Sequence, residues 1–116
     1  MSTNLFEAID AADEGAVARL VAEGADIDEV DLQGFQATPL AYAAGRGEVE
    51  MVRALLAAGA DPDAAAYSPP LVEAAGAGFS GIVDLLVEAG ARVDSQDESG
   101  LSALAIAAAN GFAQIV

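Results

Sequence analysis

Carboxylates are the reactive groups this chain holds in quantity. Its 116 residues carry 19 Asp and Glu against four Arg, with no His, no Cys and no Lys. Without His, Cys and Lys there is no imidazole base, no thiolate and no Schiff-base amine. Zinc loses its usual ligands for the same reason. Carboxylate pairs remain, but at this density of acids they arise by chance. The run from Asp26 to Asp31 spells the start of a calcium loop and then fails it. The fifth ligand place holds Val30, the glycine place holds Asp31 and the closing glutamate place holds Ala37. Gly76-Ala77-Gly78 is too short to cradle a phosphate and lacks the following Gly and Lys. The residues therefore point away from an enzyme and imply neither a cofactor nor a metal.

Recognition of another molecule is the chemistry that is left. The segment from Asp28 to Ala37 combines the acids Asp28, Glu29 and Asp31 with Leu32 and Phe35, two apolar residues with no helical stripe to explain them. An apolar anchor ringed by charge and amide, here with Gln33 and Gln36, has the composition of a binding hot spot. The competing reading is that Phe35 folds back onto its own chain. Tyr67 stands in a second, shorter loop, where it either meets a partner or covers the gap left by the missing residues.

What must position these residues is a repeated unit. The chain writes VAEGADID at 21–28, LAAGADPD at 56–63 and VEAGARVD at 87–94. Leu5, Leu40, Leu71 and Leu104 each open an Ala-rich segment at intervals of 35, 31 and 33. A period of this size marks a stacked array of similar units. Each unit reads as helix, short loop, helix and extended loop, with boundaries at 1–28, 29–63, 64–94 and an incomplete 95–116. In the second unit Thr38 is placed to cap the first helix and Pro39 suits its first turn. Leu40, Ala43 and Ala44 then face inward, and Gly47 can take the left-handed conformation that ends the helix. Val49, Val52, Leu55 and Leu56 form the stripe of the second helix. In the third unit Ile82, Val83, Leu85, Leu86 and Val87 do so; in the first, Leu5, Phe6, Ala8, Ile9, Val17, Leu20 and Val21 supply both helices. Glu7 and Asp10 give the first helix the polar outer face of a terminal cap. The repeated Asp26 and Asp61 read as structural, accepting backbone N–H groups within their turns.

A formal charge of −15 keeps such a chain soluble, repels nucleic acid and anionic membranes, and favours a partner with a basic surface. Residues 1–37 hold nine acids and one base, Arg19, which places −8 of the −15 in the first third. The first residues lack the basic and apolar runs of a secretion signal. No run approaches ~18 apolar residues, so no membrane span is expected and a cytoplasmic location follows by default.

The phrases Thr38-Pro39-Leu40, Ala43-Ala44, Gly47-Glu48-Val49, Val52, Leu55-Leu56 and Gly59-Ala60-Asp61 resemble the ankyrin repeat. LFEAIDAADEGAVARLVAEGADID at 5–28 looks like an N-terminal unit of that family, and the likeness covers essentially the whole chain. The family's histidine after Pro-Leu is replaced by Ala41, Val72 and Ala105, with Phe6 in the first unit. Its absence implies either loops tied less tightly or a divergent lineage. The resemblance implies an all-α repeat fold, a single ankyrin-repeat solenoid of antiparallel helix pairs with projecting β-hairpin-like loops. It further implies a non-catalytic protein–protein interaction module. By alignment with the family, Gln96, Glu98, Ser99 and Leu101 take loop-tip positions, while Arg46 and Asn110 lie at the groove ends of first helices. Arg46 would there meet either a ligand or a neighbouring acid. Two narrower roles stay open: an inhibitor or immunity-type protein that blocks the basic site of a toxin or nuclease, and the N-terminal part of a longer repeat protein. Ile115 and Val116 align with the inward-packing Met51 and Val52, so the chain is expected to continue past 116.

Overall fold

Six short helices in three pairs form where caps and glycines allow them among residues 4–30, 37–64 and 69–92, which the computed structural model describes. The first pair is α1 (Leu5–Asp10) and α2 (Glu14–Ala22), the second α3 (Pro39–Arg46) and α4 (Val49–Ala57), the third α5 (Pro70–Ala77) and α6 (Ser80–Glu88). The Asn4 carboxamide oxygen accepts the Glu7 N–H at 2.8 Å to start α1, and the Asp13 carboxylate accepts the Ala16 N–H at 3.2 Å to start α2. Thr38 starts α3 as expected. Its hydroxyl oxygen accepts the Ala41 N–H at 3.2 Å, and its proton goes to the Ala64 carbonyl at 3.2 Å, 26 residues away. At 1% exposure, Thr38 is the buried polar side chain among the described residues. Its hydroxyl supplies a cross-unit tie in the unit whose histidine position holds Ala41.

Helices of this length are marginal alone, so packing must hold them. Contacts run α1–α3–α5 along an inner row, α2–α4–α6 along an outer row, and between the members of each pair. The inner row buries the same positions in each unit: Leu5, Phe6, Ala8 and Ile9; Leu40, Ala41, Ala43 and Ala44; Leu71, Val72, Ala74 and Ala75. Small residues let α3 and α5 approach closely. A Cβ on Gly45 would stand 3.2 Å from Oε2 of Glu73.

The outer row also buries three positions per unit: Ala16, Val17 and Leu20; Met51, Val52 and Leu55; Ile82, Val83 and Leu86. This corrects two members of the expected stripes. Val49 and Val87 are each 38% exposed, whereas Met51 is buried in α4, as its inward alignment implied. Val49 lies about 60° around the helix from Val52, on the side away from Leu55, because each residue advances about 100°. Val21, Leu56 and Leu85 lie at the margin, half-buried.

Each outer helix ends in the same way. Gly24, Gly59 and Gly90 take φ of +102°, and the following alanine returns its N–H to the outer helix: Ala25 to Leu20, Ala60 to Leu55 and Ala91 to Leu86, at 2.9–3.0 Å. This is the Schellman closure, for which glycine is the low-strain residue. The Ala60 and Ala91 methyls then seat on the core.

The aspartates after these turns form a continuous relay. Asp26 Oδ1 accepts the Asp28 N–H at 3.0 Å, and Asp28 Oδ1 accepts the Asp61 N–H at 3.0 Å. Asp61 Oδ1 accepts the Asp63 N–H at 2.9 Å, and Asp63 Oδ1 accepts the Arg92 N–H at 3.0 Å. Asp26 and Asp61 thus do what their position implies, and two further aspartates link one unit to the next.

Candidate functional site

The inner row places five side chains together on its α1–α3 side. Tyr42 and Arg46 are four residues apart on α3 and so share a face. Asp10 is the last residue of α1, Phe6 lies one turn before it, and Glu48 precedes α4. The Tyr42 hydroxyl donates to Asp10 Oδ1 at 2.6 Å, and Arg46 Nη1 donates to the Tyr42 hydroxyl at 3.2 Å. Arg46 also pairs with Asp10 Oδ1 at 3.5 Å through Nη1 and with Glu48 Oε1 at 3.3 Å through Nε. Its guanidinium carbon sits 5.1 Å from the Tyr42 ring centroid. Phe6 meets that ring edge-on, with centroids 5.8 Å apart and planes at 60°. An edge-to-face ring contact of this geometry is worth about 0.5–1.5 kcal/mol.

The electrostatics follow from these partners. Burial pushes the Tyr42 phenol above its ordinary value of 10.0, as does the hydrogen bond to Asp10, while the Arg46 charge works against both. The hydrogen bond to Glu48 raises the Arg46 guanidinium above its ordinary value, so it remains a cation. Glu48 Oε2 is buried and has no hydrogen-bond partner among the described residues. The cluster is therefore a seat for one positive charge, built from two carboxylates and an aromatic face. Among the described residues, no three of His, Cys, Asp or Glu gather to hold a metal ion. No helix among them is long and apolar enough to cross a membrane.

A family model described as ankyrin repeats, in three copies, matches residues 5–97. The chain belongs to the ankyrin-repeat family. The stack of helix pairs is the fold that membership entails. Ankyrin repeats are generally protein–protein interaction modules, and the family is generally non-catalytic. A search of curated proteins returned no match for the chain.

In this ankyrin array the sequence-derived contact residues fall unequally. Arg46 lies at the end of an inner helix, paired with neighbouring acids. Asp28 has one carboxylate oxygen engaged by the next unit's backbone. Glu29 is exposed, its own N–H given to the Asp26 carbonyl at 3.2 Å. Asp31, Leu32, Gln33, Phe35, Gln36, Tyr67, Gln96, Glu98, Ser99, Leu101 and Asn110 lie outside the described residues, as do the projecting loops and the incomplete fourth unit. Sequence reasoning did not single out Tyr42, and it took Asp10 for a merely polar outer face. The available signal was positional. Tyr42 stands where the flanking ankyrin units have Glu7 and Glu73, 35 residues earlier and 31 later, so one unit exchanges an acid for an aromatic ring.

Proposed function

We propose that this ankyrin array is a non-catalytic binding module whose acidic inner face and projecting loops take a partner protein with a basic patch. The charge balance of the inner row is the observation that carries this reading. Glu7, Asp10 and Glu73 are exposed on α1 and α5, and the one cation on α1, α3 and α5 is Arg46, which acids already hold. The formal charge of −15 extends the same sign over the whole chain. A field of one sign speeds encounter with an opposite surface and is screened by salt.

The loop residues Glu29, Asp31, Leu32, Gln33, Phe35 and Gln36 are the proposed anchors beside this face, with Tyr67, Gln96, Glu98, Ser99, Leu101 and Asn110 as further contacts. A cytoplasmic setting belongs to the same reading. The test is capture of partners from a native lysate by the full chain, followed by titration of a purified partner at low salt and at ~0.5 M salt. Affinity that falls with salt supports the proposal, whereas unchanged affinity removes its electrostatic part. Leu32→Ala combined with Phe35→Ala should weaken capture while leaving the helical circular dichroism intact.

A further inference from the structure

We propose that Thr38 is a positioning residue for recognition: together with Asp28 it plants both ends of the first projecting loop on one turn of the next unit. This rests on the loop reading above and specifies what holds that loop in place. The loop runs from Asp28 to Ala37 and ends at Thr38, which caps α3. Asp28 Oδ1 accepts the Asp61 N–H at 3.0 Å, and the Thr38 hydroxyl donates to the Ala64 carbonyl at 3.2 Å. Asp61 and Ala64 are the two ends of a single tight turn. It is closed by the Ala64 N–H on the Asp61 carbonyl at 3.1 Å and by the Asp63 N–H on Asp61 Oδ1 at 2.9 Å. The ends of such a turn lie within about 7 Å of each other.

Bringing the two ends of a loop together costs chain entropy, and here the stacking of units meets that cost before any partner arrives. A loop already fixed at both ends has less ordering left to lose on binding. Burial shields the Thr38 hydroxyl from competing water. The double hold is particular to this junction. At the next one Asp63 accepts the Arg92 N–H, but Pro69 stands two residues before Leu71, as Thr38 stands before Leu40, and it has no hydroxyl to give. The loop held at both ends is the one that carries Leu32 and Phe35.

Amide hydrogen exchange and partner affinity, measured together on the full chain, test this. The probe is the partner protein purified from the capture described above. Thr38→Val keeps the shape of the side chain and removes both of its hydrogen bonds. Exchange at the Ala41 amide reports the lost cap, whereas exchange at the Asp61, Asp63 and Ala64 amides reports the lost anchor. Measured against the Ala91 amide of the third unit, those three should exchange about fivefold faster. Affinity should fall about fivefold, the equivalent of one hydrogen bond. Thr38→Ser retains the hydroxyl and should restore both. Asp13→Ala, which removes the cap of α2, should leave both unchanged. Should Thr38→Val fold poorly, Pro62→Gly loosens the same turn without touching the α3 cap and should give the same two losses.

Unchanged exchange in the turn of Thr38→Val would overturn the positioning role. Unchanged affinity in that variant, where Leu32→Ala with Phe35→Ala does weaken binding, would do the same and leave the loop reading standing. A partner indifferent to all of these variants would overturn both.

Discussion

The Asp28 carboxylate accepts the backbone N–H of Asp61 at 3.0 Å, joining two units across 33 residues of chain. The bond asks only for an oxygen acceptor. Asp28→Ala leaves that amide to water and should cost about 1 kcal/mol, the usual net worth of such a bond. Asp28→Asn keeps a carbonyl oxygen in place and should lose much less. Urea unfolding of the two variants measures the difference. Equal losses would mean that the charge, not the acceptor, matters at this position.

Gly47 meets two demands at once. Its φ is +79°, and a Cβ there would stand 2.7 Å from Cζ of Phe79. Gly47→Ala should therefore destabilise the stack by about 2–3 kcal/mol, part backbone strain and part overpacking. Adding Phe79→Leu should recover the overpacking part alone. A double-mutant cycle that shows no coupling would contradict the contact.

Ala12 occupies the place in the first unit that Gly47 and Gly78 hold in the next two, and it has φ of 55°. An L-residue is strained there by about 1–2 kcal/mol, an effect that the greater freedom of glycine in the unfolded chain partly offsets. Ala12→Gly should raise stability by about 0.5 kcal/mol, read as a higher urea midpoint at unchanged slope. A lower midpoint would show that the strain is already relieved.

Tyr42→Phe removes the hydroxyl between Asp10 and Arg46 and should cost about 1 kcal/mol near neutral pH. The folded protein holds the Tyr42 proton more tightly than the unfolded chain, because burial and the Asp10 hydrogen bond raise the phenol above 10.0. Its contribution is thus fully present below pH 10 and is lost as pH rises through the higher folded value. The stability gap between wild type and Tyr42→Phe should stay constant from pH 6 to about pH 9 and narrow above pH 10. A gap that widens there would reverse the assigned direction.

The fold was legible because its signals are local. Thr38-Pro39 starts a helix wherever it occurs in an extended-to-helical step, and the Gly-Ala pair closes one through bonds spanning five residues. The structural role of Asp26 and Asp61 was readable for the same reason, since each acts on an amide two residues away. Val49 and Val87 misled because composition alone does not say where a helix face turns away from its neighbour.

The seat around Tyr42 was illegible for a different reason. Its central bond links residues 32 apart, and only the side-by-side packing of α1 and α3 brings them together. Arg46 alone among its members could be assigned a neighbouring acid in advance, because cations on inner helices are scarce enough to be conspicuous. Asp28 combines both lessons: its acidity drew attention as surface charge, whereas its bond to the next unit emerged only from the stack.

The aspartate relay gives the array a direction. In both links between units the acceptor comes earlier in the chain than the amide it serves: Asp28 before Asp61, and Asp63 before Arg92. A polypeptide emerging from the ribosome N-terminus first exposes each carboxylate before the turn that will need it. Within the relay, shortening the array from its C-terminal side strands only carboxylates, which water readily satisfies. Shortening it from the other side takes the acceptor from a turn that must still close.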